Sequence, residues 1–277
     1  MQTTNHFRSL SLFFVFAYLI TWCIWAPYYL PSLFPVSWHT DPVFHYAGLA
    51  GPLLASLLAT AIQNGKAGIR LLVHRITTLG SSLWAILAAL GIPFVVVLFS
   101  QIISAIVDHE PISFRGLSTS REMPGLSWFT FAAINIFVVG IGEEAGWRGF
   151  VLPRLQGSMT AMKASILLTI FWAIWHWPLF FYPLSGYYHM DIFGIAGWLF
   201  SLLLGSILFA WLFNSSGGSV LTCAIFHGMM DIMFISAFPN THLASYNGML
   251  ITILGFVVIN RFSAQNLSRK ERITTTE

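Results

Sequence analysis

The chain has 277 residues, of which 56% are hydrophobic, 16% aromatic and only 8% charged. Soluble domains carry about 25% charged residues, so this composition excludes an ordinary soluble globule and implies a polytopic membrane protein. The net charge of +3 is too small to suggest nucleic-acid binding, and the expected partner is the lipid bilayer.

A spanning helix needs about 20 mostly apolar residues. Eight stretches qualify in chain order: 9–29, 43–63, 83–107, 129–152, 162–182, 192–213, 219–238 and 245–261. The first ends in APYYLP rather than a small-residue cleavage site, so it reads as an uncleaved helix. The fourth qualifies only if it runs through two glutamates, and the eighth is short. Between the third and fourth lies DHEPISFRGLSTSREMPG, the longest polar segment and a candidate exposed cap. Asn214-Ser215-Ser216-Gly217-Gly218 joins the sixth and seventh stretches as a tight hairpin. Cys23 and Cys223 lie in apolar runs without CxxC spacing and read as buried fillers.

The 13 Lys and Arg residues orient this arrangement. With eight helices, Arg8, Lys66, Arg70, Arg75, Arg148, Arg154, Lys163, Arg261, Arg269, Lys270 and Arg272 share one side, and Arg115 and Arg121 take the other. The positive-inside rule then places both termini in the cytoplasm. The expected fold is all-α: a polytopic membrane helical bundle of about eight transmembrane helices, one integral membrane domain over 1–277. The expected location is a bacterial cytoplasmic membrane.

Ionisable residues at membrane depth are costly and mark functional cavities. Three clusters stand out. The fourth stretch ends in VVGIGEEAGWRGF, with Glu143, Glu144 and Arg148. Neighbouring helical residues point about 100° apart, so the glutamates cannot share a face. Glu144 and Arg148 have the i, i+4 spacing of an ion pair, which leaves Glu143 to face a pocket. The fifth stretch carries His176 in FWAIWHWP, just before Pro178. The seventh carries His227 and Asp231 at i, i+4 in AIFHGMMDIMF, on one helical face. At a rise of 1.5 Å per residue, all of these fall about 9–21 Å from the cytoplasmic helix ends. One polar cavity between the fourth, fifth and seventh helices, open to the cytoplasm, accounts for that common depth. The catalytic core is expected over about 129–238. His6, His39, His45, His74, His109, His189 and His242 fall in loops or near helix ends and read as solvated or interfacial.

A buried carboxylate beside a histidine is general-base equipment, and a second histidine can donate to an oxyanion. Glu143, His176, His227 and Asp231 are equally plausible ligands for a divalent metal such as zinc; the cofactor expectation is therefore none or one divalent metal. Either route is water attack on an acyl or amide carbonyl.

The three motifs, Glu143-Glu144-x-x-x-Arg148, Trp172-x-x-x-His176 and His227-x-x-x-Asp231, resemble the CAAX-protease and bacteriocin-processing family of intramembrane endopeptidases, also called the Abi family. The resemblance covers about residues 130–235. It implies a helical membrane protease that cleaves a membrane-associated, leader or C-terminal peptide. By that analogy Glu143 and His176 activate water, His227 and Asp231 stabilise the oxyanion, and Glu144 and Arg148 shape the site. Two positions depart from the family pattern: Trp172 stands where Phe is common, and Asp231 where Asn is frequent. An ionised Asp231 would repel an oxyanion. It therefore is protonated, orients His227 or holds a metal. The alternative functions are a non-catalytic protein conferring immunity to a peptide toxin or binding a partner, and a proton-coupled transporter.

Overall fold

The computed structural model describes residues 2–117, 119–120, 122–238 and 240–275, the side chains of residues 2–7 excepted. Arg121, counted above in the charge bias, lies outside the described residues. The described chain is helical, and its only extended pairing is an isolated bridge between Ser120 and Ser236. The helices are α1 (Gln2–Ile24), α2 (Ala26–Leu33), α3 (Pro42–Leu49), α4 (Gly51–Thr77) and α5 (Leu83–Val107). They continue with α6 (Trp128–Gln156), α7 (Ala161–Trp175), α8 (Ile192–Ser216), α9 (Val220–Ile235) and α10 (Leu243–Arg261).

All eight apolar stretches are helical. Among the described residues, six helical runs are long and apolar enough to cross a membrane: Pro42–Thr77, Leu83–Val107, Trp128–Gln156, Ala161–Phe181, Ile192–Ser216 and Leu243–Arg261. The first stretch is not one straight rod. Arg8–Ile24 and Ala26–Leu33 are bent by 75° at Trp25, beside Pro27. The seventh, Val220–Ile235, is a shorter apolar helix.

Local chemistry sets the boundaries. Asp41, Ser82, Ser127, Thr160, Asp191 and Ser219 each accept from a first-turn amide as helix N-caps. Gly217, at φ 79°, ends α8 in the left-handed conformation. α4 breaks at Gly65 (φ 57°, ψ −149°), so residues 66–77 leave the line of its first half.

α6 continues through the glutamates, as the sequence led us to expect, but not as a plain α-helix. Its α-helical turns at Trp128–Ile134, Ile141–Gly146 and Leu152–Gln156 alternate with π-helical turns at Asn135–Gly140 and Trp147–Val151. Each π turn rotates the following residues relative to an α-helix. Glu143 and Glu144 sit on the short α segment between the two. α6 and α9 then approach closely at small residues: a Cβ on Gly228 would lie 2.5 Å from the Asn135 carbonyl oxygen.

The two ends of the bundle differ. At the end shared by the termini, Gln156 and Asn214 exchange amide hydrogen bonds of 2.8 and 3.1 Å. The C-terminal segment completes this pair. Asn214 Nδ2 donates to Asn266 O, Gln156 Nε2 to Ile273 O, and Ile273 N to Asn214 Oδ1. At the opposite end the segment between α5 and α6 is pinned, rather than freely exposed. Ala237 N donates to Thr119 O, and Ser236 Oγ to Leu117 O. Asp108 accepts from Asn240, His242 and Tyr246.

Candidate active site

α6 supplies Glu143, Glu144 and Arg148. The Arg148 guanidinium donates to Glu144 Oε1 at 2.8 Å, and both side chains are fully buried. It also lies over the rings of Trp172 and Phe209, 4.4 and 4.1 Å from their centroids. The i, i+4 pairing read from the sequence is therefore present. What the sequence did not indicate is that Glu144 Oε1 also takes His227 Nδ1, at 2.7 Å. Arg148, Glu144 and His227 form one chain of contacts across α6 and α9. His227 and Asp231, expected to act together, share a face of α9, yet the imidazole is anchored on Glu144.

Glu143 turns the other way, as expected, but it is not unpartnered. Its Oε2 accepts from Trp172 Nε1 at 2.8 Å. Its Oε1 lies 3.9 Å from His227 Nε2, too far for a hydrogen bond. Both atoms remain available to a third group between them. Trp172 gains meaning here: phenylalanine has no N–H and could not hold the carboxylate.

His176 is placed by the end of its own helix. Pro178 lacks an N–H, and α7 tightens before it: His176 N bonds Ala173 O at 3.2 Å. Trp172 O takes His176 Nδ1 instead, at 2.7 Å. Neighbouring last-turn carbonyls are met from α1, with Tyr18 donating to Phe171 O and Trp22 to Trp175 O. The imidazole is thereby fixed with Nε2 directed away from the Trp172 carbonyl. Its ring lies among Trp175, Tyr187 and Trp198, with centroids 4.9, 5.7 and 5.9 Å away.

Asp231 is half-buried one turn beyond His227. Among the described residues its carboxyl accepts no hydrogen bond, but it lies within electrostatic reach of Glu143, His227 and His45.

His45 corrects the sequence reading. Placed there among solvated or interfacial histidines, it stands on α3 as part of the site wall. Its Nδ1 lies 2.7 Å from Glu122 Oε2, and the two side chains are only 15% and 9% exposed. The aromatic rings of Trp25, Tyr46 and Tyr182 surround it. The signal available in sequence was weak, since partner and histidine are 77 positions apart.

The metal alternative can be tested on the donor set. Among the described residues, no three His, Cys, Asp or Glu side chains converge as a metal site. Nδ1 of His227 is engaged by Glu144 and Nδ1 of His176 by a backbone carbonyl. Engagement at Nδ1 leaves each Nε2 available, which suits a metal ligand as well as a proton donor; no step below is routed through a metal.

With this geometry in place, similarity to known proteins is informative. Residues 125–233 match the family of type II CAAX prenyl endopeptidases described as Rce1-like. Across these residues the chain is similar to that family. The matched segment contains Glu143, Glu144, Arg148, Trp172, His176, His227 and Asp231. A curated relative, CAAX prenyl protease 2 of Methanococcus maripaludis, is 25% identical over 231 residues, covering 80% of this chain and 82% of the relative. The Rce1-like likeness and the apolar helices together support an integral membrane peptidase. The helical bundle and the CAAX-protease likeness expected from the sequence both hold.

Proposed function

We propose that this Rce1-like chain is an intramembrane endopeptidase that hydrolyses a peptide bond of a membrane-associated substrate by glutamate- and histidine-assisted attack of water. The observation that carries the reading is the division between the two glutamates. Glu144 is committed to Arg148 and His227. Glu143 is held at one oxygen by Trp172 and keeps the other oriented towards His227 Nε2.

In this reading Glu143, with His176 Nε2 helping to orient the water, accepts a proton as the water oxygen bonds to the carbonyl carbon. The carbonyl π electrons move to oxygen. His227, anchored through Nδ1 on Glu144, when protonated presents Nε2–H to that oxyanion. Collapse of the tetrahedral intermediate breaks the C–N bond, and the leaving amine takes the proton from Glu143. Asp231, one turn from His227 on the same face of α9, borders the oxyanion. Arg148 and Glu144 are positioning residues in a catalytic core spanning about 129–238. The substrate class is a peptide at the membrane surface, such as a leader or C-terminal segment, in a bacterial cytoplasmic membrane.

The test is cleavage of a peptide library by purified protein, comparing wild type with Glu143→Gln, each with and without a chelator. Cleavage abolished by Glu143→Gln and indifferent to the chelator supports the reading. Cleavage that survives Glu143→Gln overturns it.

A further inference from the structure

α4 carries a feature that the candidate active site does not use. Its first half presents an apolar row outward: Leu54, Leu58 and Ile62, four residues apart, are all exposed. At a rise of 1.5 Å per residue the row is about 12 Å long. The helix then breaks at Gly65. The next residues at the same interval are Lys66, Arg70 and His74, again all exposed. At the break the row changes from apolar to cationic.

The break is fixed in place. Gly65 holds φ 57° and ψ −149°, a conformation essentially confined to glycine. On its N-terminal side Gln63 accepts from the Ser9 hydroxyl of α1, and Asn64 Oδ1 accepts from Arg154 Nη2 at 3.2 Å. Arg154 Nε donates to the same Ser9 Oγ at 3.0 Å. On its C-terminal side Leu72 and Arg75 are buried, and Leu72 packs at Gly149 of α6. The exposed row of the second half is therefore the face left over after Leu72 and Arg75 turn inward.

Turning the chain here forms a surface groove lined by Ala61, Gly65, Lys66, Ile69, Arg70 and Val73. Ala61, Ile69 and Val73 give it an apolar wall, and Lys66 and Arg70 a cationic edge. A Cβ on Gly65 would meet nothing within 4 Å, so the groove is open at the break itself. No Asp or Glu occurs between Asp41 and Asp108, so neither α4 nor α5 carries a carboxylate. The ion pairs among the described residues include neither Lys66 nor Arg70. Cations on a polar helix face are simply solvated. These two instead stand at the end of an apolar row and beside an apolar wall, the two-part chemistry of an amphiphile with a negative head.

We propose that this groove binds an anionic phospholipid. Lys66 and Arg70 hold the headgroup phosphate, and one acyl chain lies against Ala61, Ile69 and Val73 and continues along Ile62, Leu58 and Leu54. A guanidinium meets phosphate oxygens through paired N–H donors, and an ammonium adds a compact point charge. A zwitterionic headgroup would bring its own cation against the Lys66–Arg70 row, so the site selects for net negative charge. The lipid site is independent of the peptidase reading.

The test titrates the purified protein, in neutral detergent, with dioleoylphosphatidylglycerol, with dioleoylphosphatidylcholine or with inorganic phosphate, and follows the rise in unfolding temperature. A saturable rise is expected with phosphatidylglycerol alone. Each cation near an anionic lipid contributes about fivefold in affinity, so Lys66→Gln/Arg70→Gln is expected to weaken binding about 30-fold. The single variants, at about fivefold each, serve if the double one fails to fold. Lys163→Gln/Arg269→Gln makes the same charge change at exposed positions outside the groove and is expected to bind as wild type does. Unfolding without lipid shows which variants are folded. Equal protection by phosphatidylcholine or by inorganic phosphate overturns the proposal. So does an equal loss in the two double variants, or unchanged binding when Lys66 and Arg70 are replaced in a folded protein.

Discussion

His227 Nδ1 lies 2.7 Å from Glu144 Oε1, the same oxygen that Arg148 Nη1 reaches at 2.8 Å. One carboxylate thus anchors a histidine on α9 and neutralises an arginine on its own helix. Truncating one partner of a buried ion pair leaves an uncompensated charge and costs about 3–5 kcal/mol. Glu144→Gln is therefore expected to destabilise the detergent-solubilised protein by about that amount. The double variant Glu144→Gln/Arg148→Met removes both charges and is expected to recover part of the loss. Thermal unfolding of wild type and the two variants checks this; a double variant less stable than the single one would refute the pairing.

Trp172→Phe keeps the ring and deletes the indole donor to Glu143. A hydrogen bond to a charged group contributes about 1.5–3 kcal/mol. If that bond holds Glu143 for catalysis, kcat should fall by about 10- to 100-fold, at 1.36 kcal/mol per tenfold. The unfolding temperature should change little by comparison. Equal effects on both would mean that the bond serves packing alone.

Asp231→Asn removes a charge without changing side-chain volume. The carboxyl accepts no hydrogen bond among the described residues, so the neutral amide is expected to be tolerated in folding. Peptide cleavage is expected to persist, because the amide adds a neutral donor near the oxyanion. Complete loss of cleavage in a folded Asp231→Asn protein would show that the charge itself is required.

The pinned cap should respond to acid. Hydrogen bonds from His242, Asn240 and Tyr246 hold the Asp108 carboxyl below its ordinary value. A carboxylate depressed in the folded state contributes stability above its unfolded pKa, and that stability is lost as pH falls through the folded value. Acidification below about pH 4, the ordinary aspartate range, is expected to loosen residues 108–127 before the bundle melts. Hydrogen exchange of this segment against pH measures it, and Asp108→Asn should flatten the response.

Much of this structure is legible from the sequence because a membrane helix must satisfy its own backbone, and apolar length reveals it. The eight helical stretches follow from that rule, as does the run of α6 through its charges. The i, i+4 rule gives Glu144–Arg148 directly. It does not give Glu144–His227, because the π turns change the rotational phase of α6 and no sequence period encodes them. His45 escaped because a histidine at a helix start resembles any interfacial histidine; only the folded cap brings Glu122 to it. The bend at Trp25 and the return of residues 66–77 beneath the site were invisible for a similar reason: each is a single break inside an otherwise continuous pattern.

The clasp at the end shared by the termini has a consequence for biosynthesis. Asn214 and Gln156 bury two side-chain amides whose remaining partners, Asn266 O, Ile273 O and Ile273 N, are synthesised after α10. Helices can enter the bilayer one after another as translation proceeds. The floor of the bundle, however, closes only once Asn266 and Ile273 leave the ribosome and fold back, later than the helices they join.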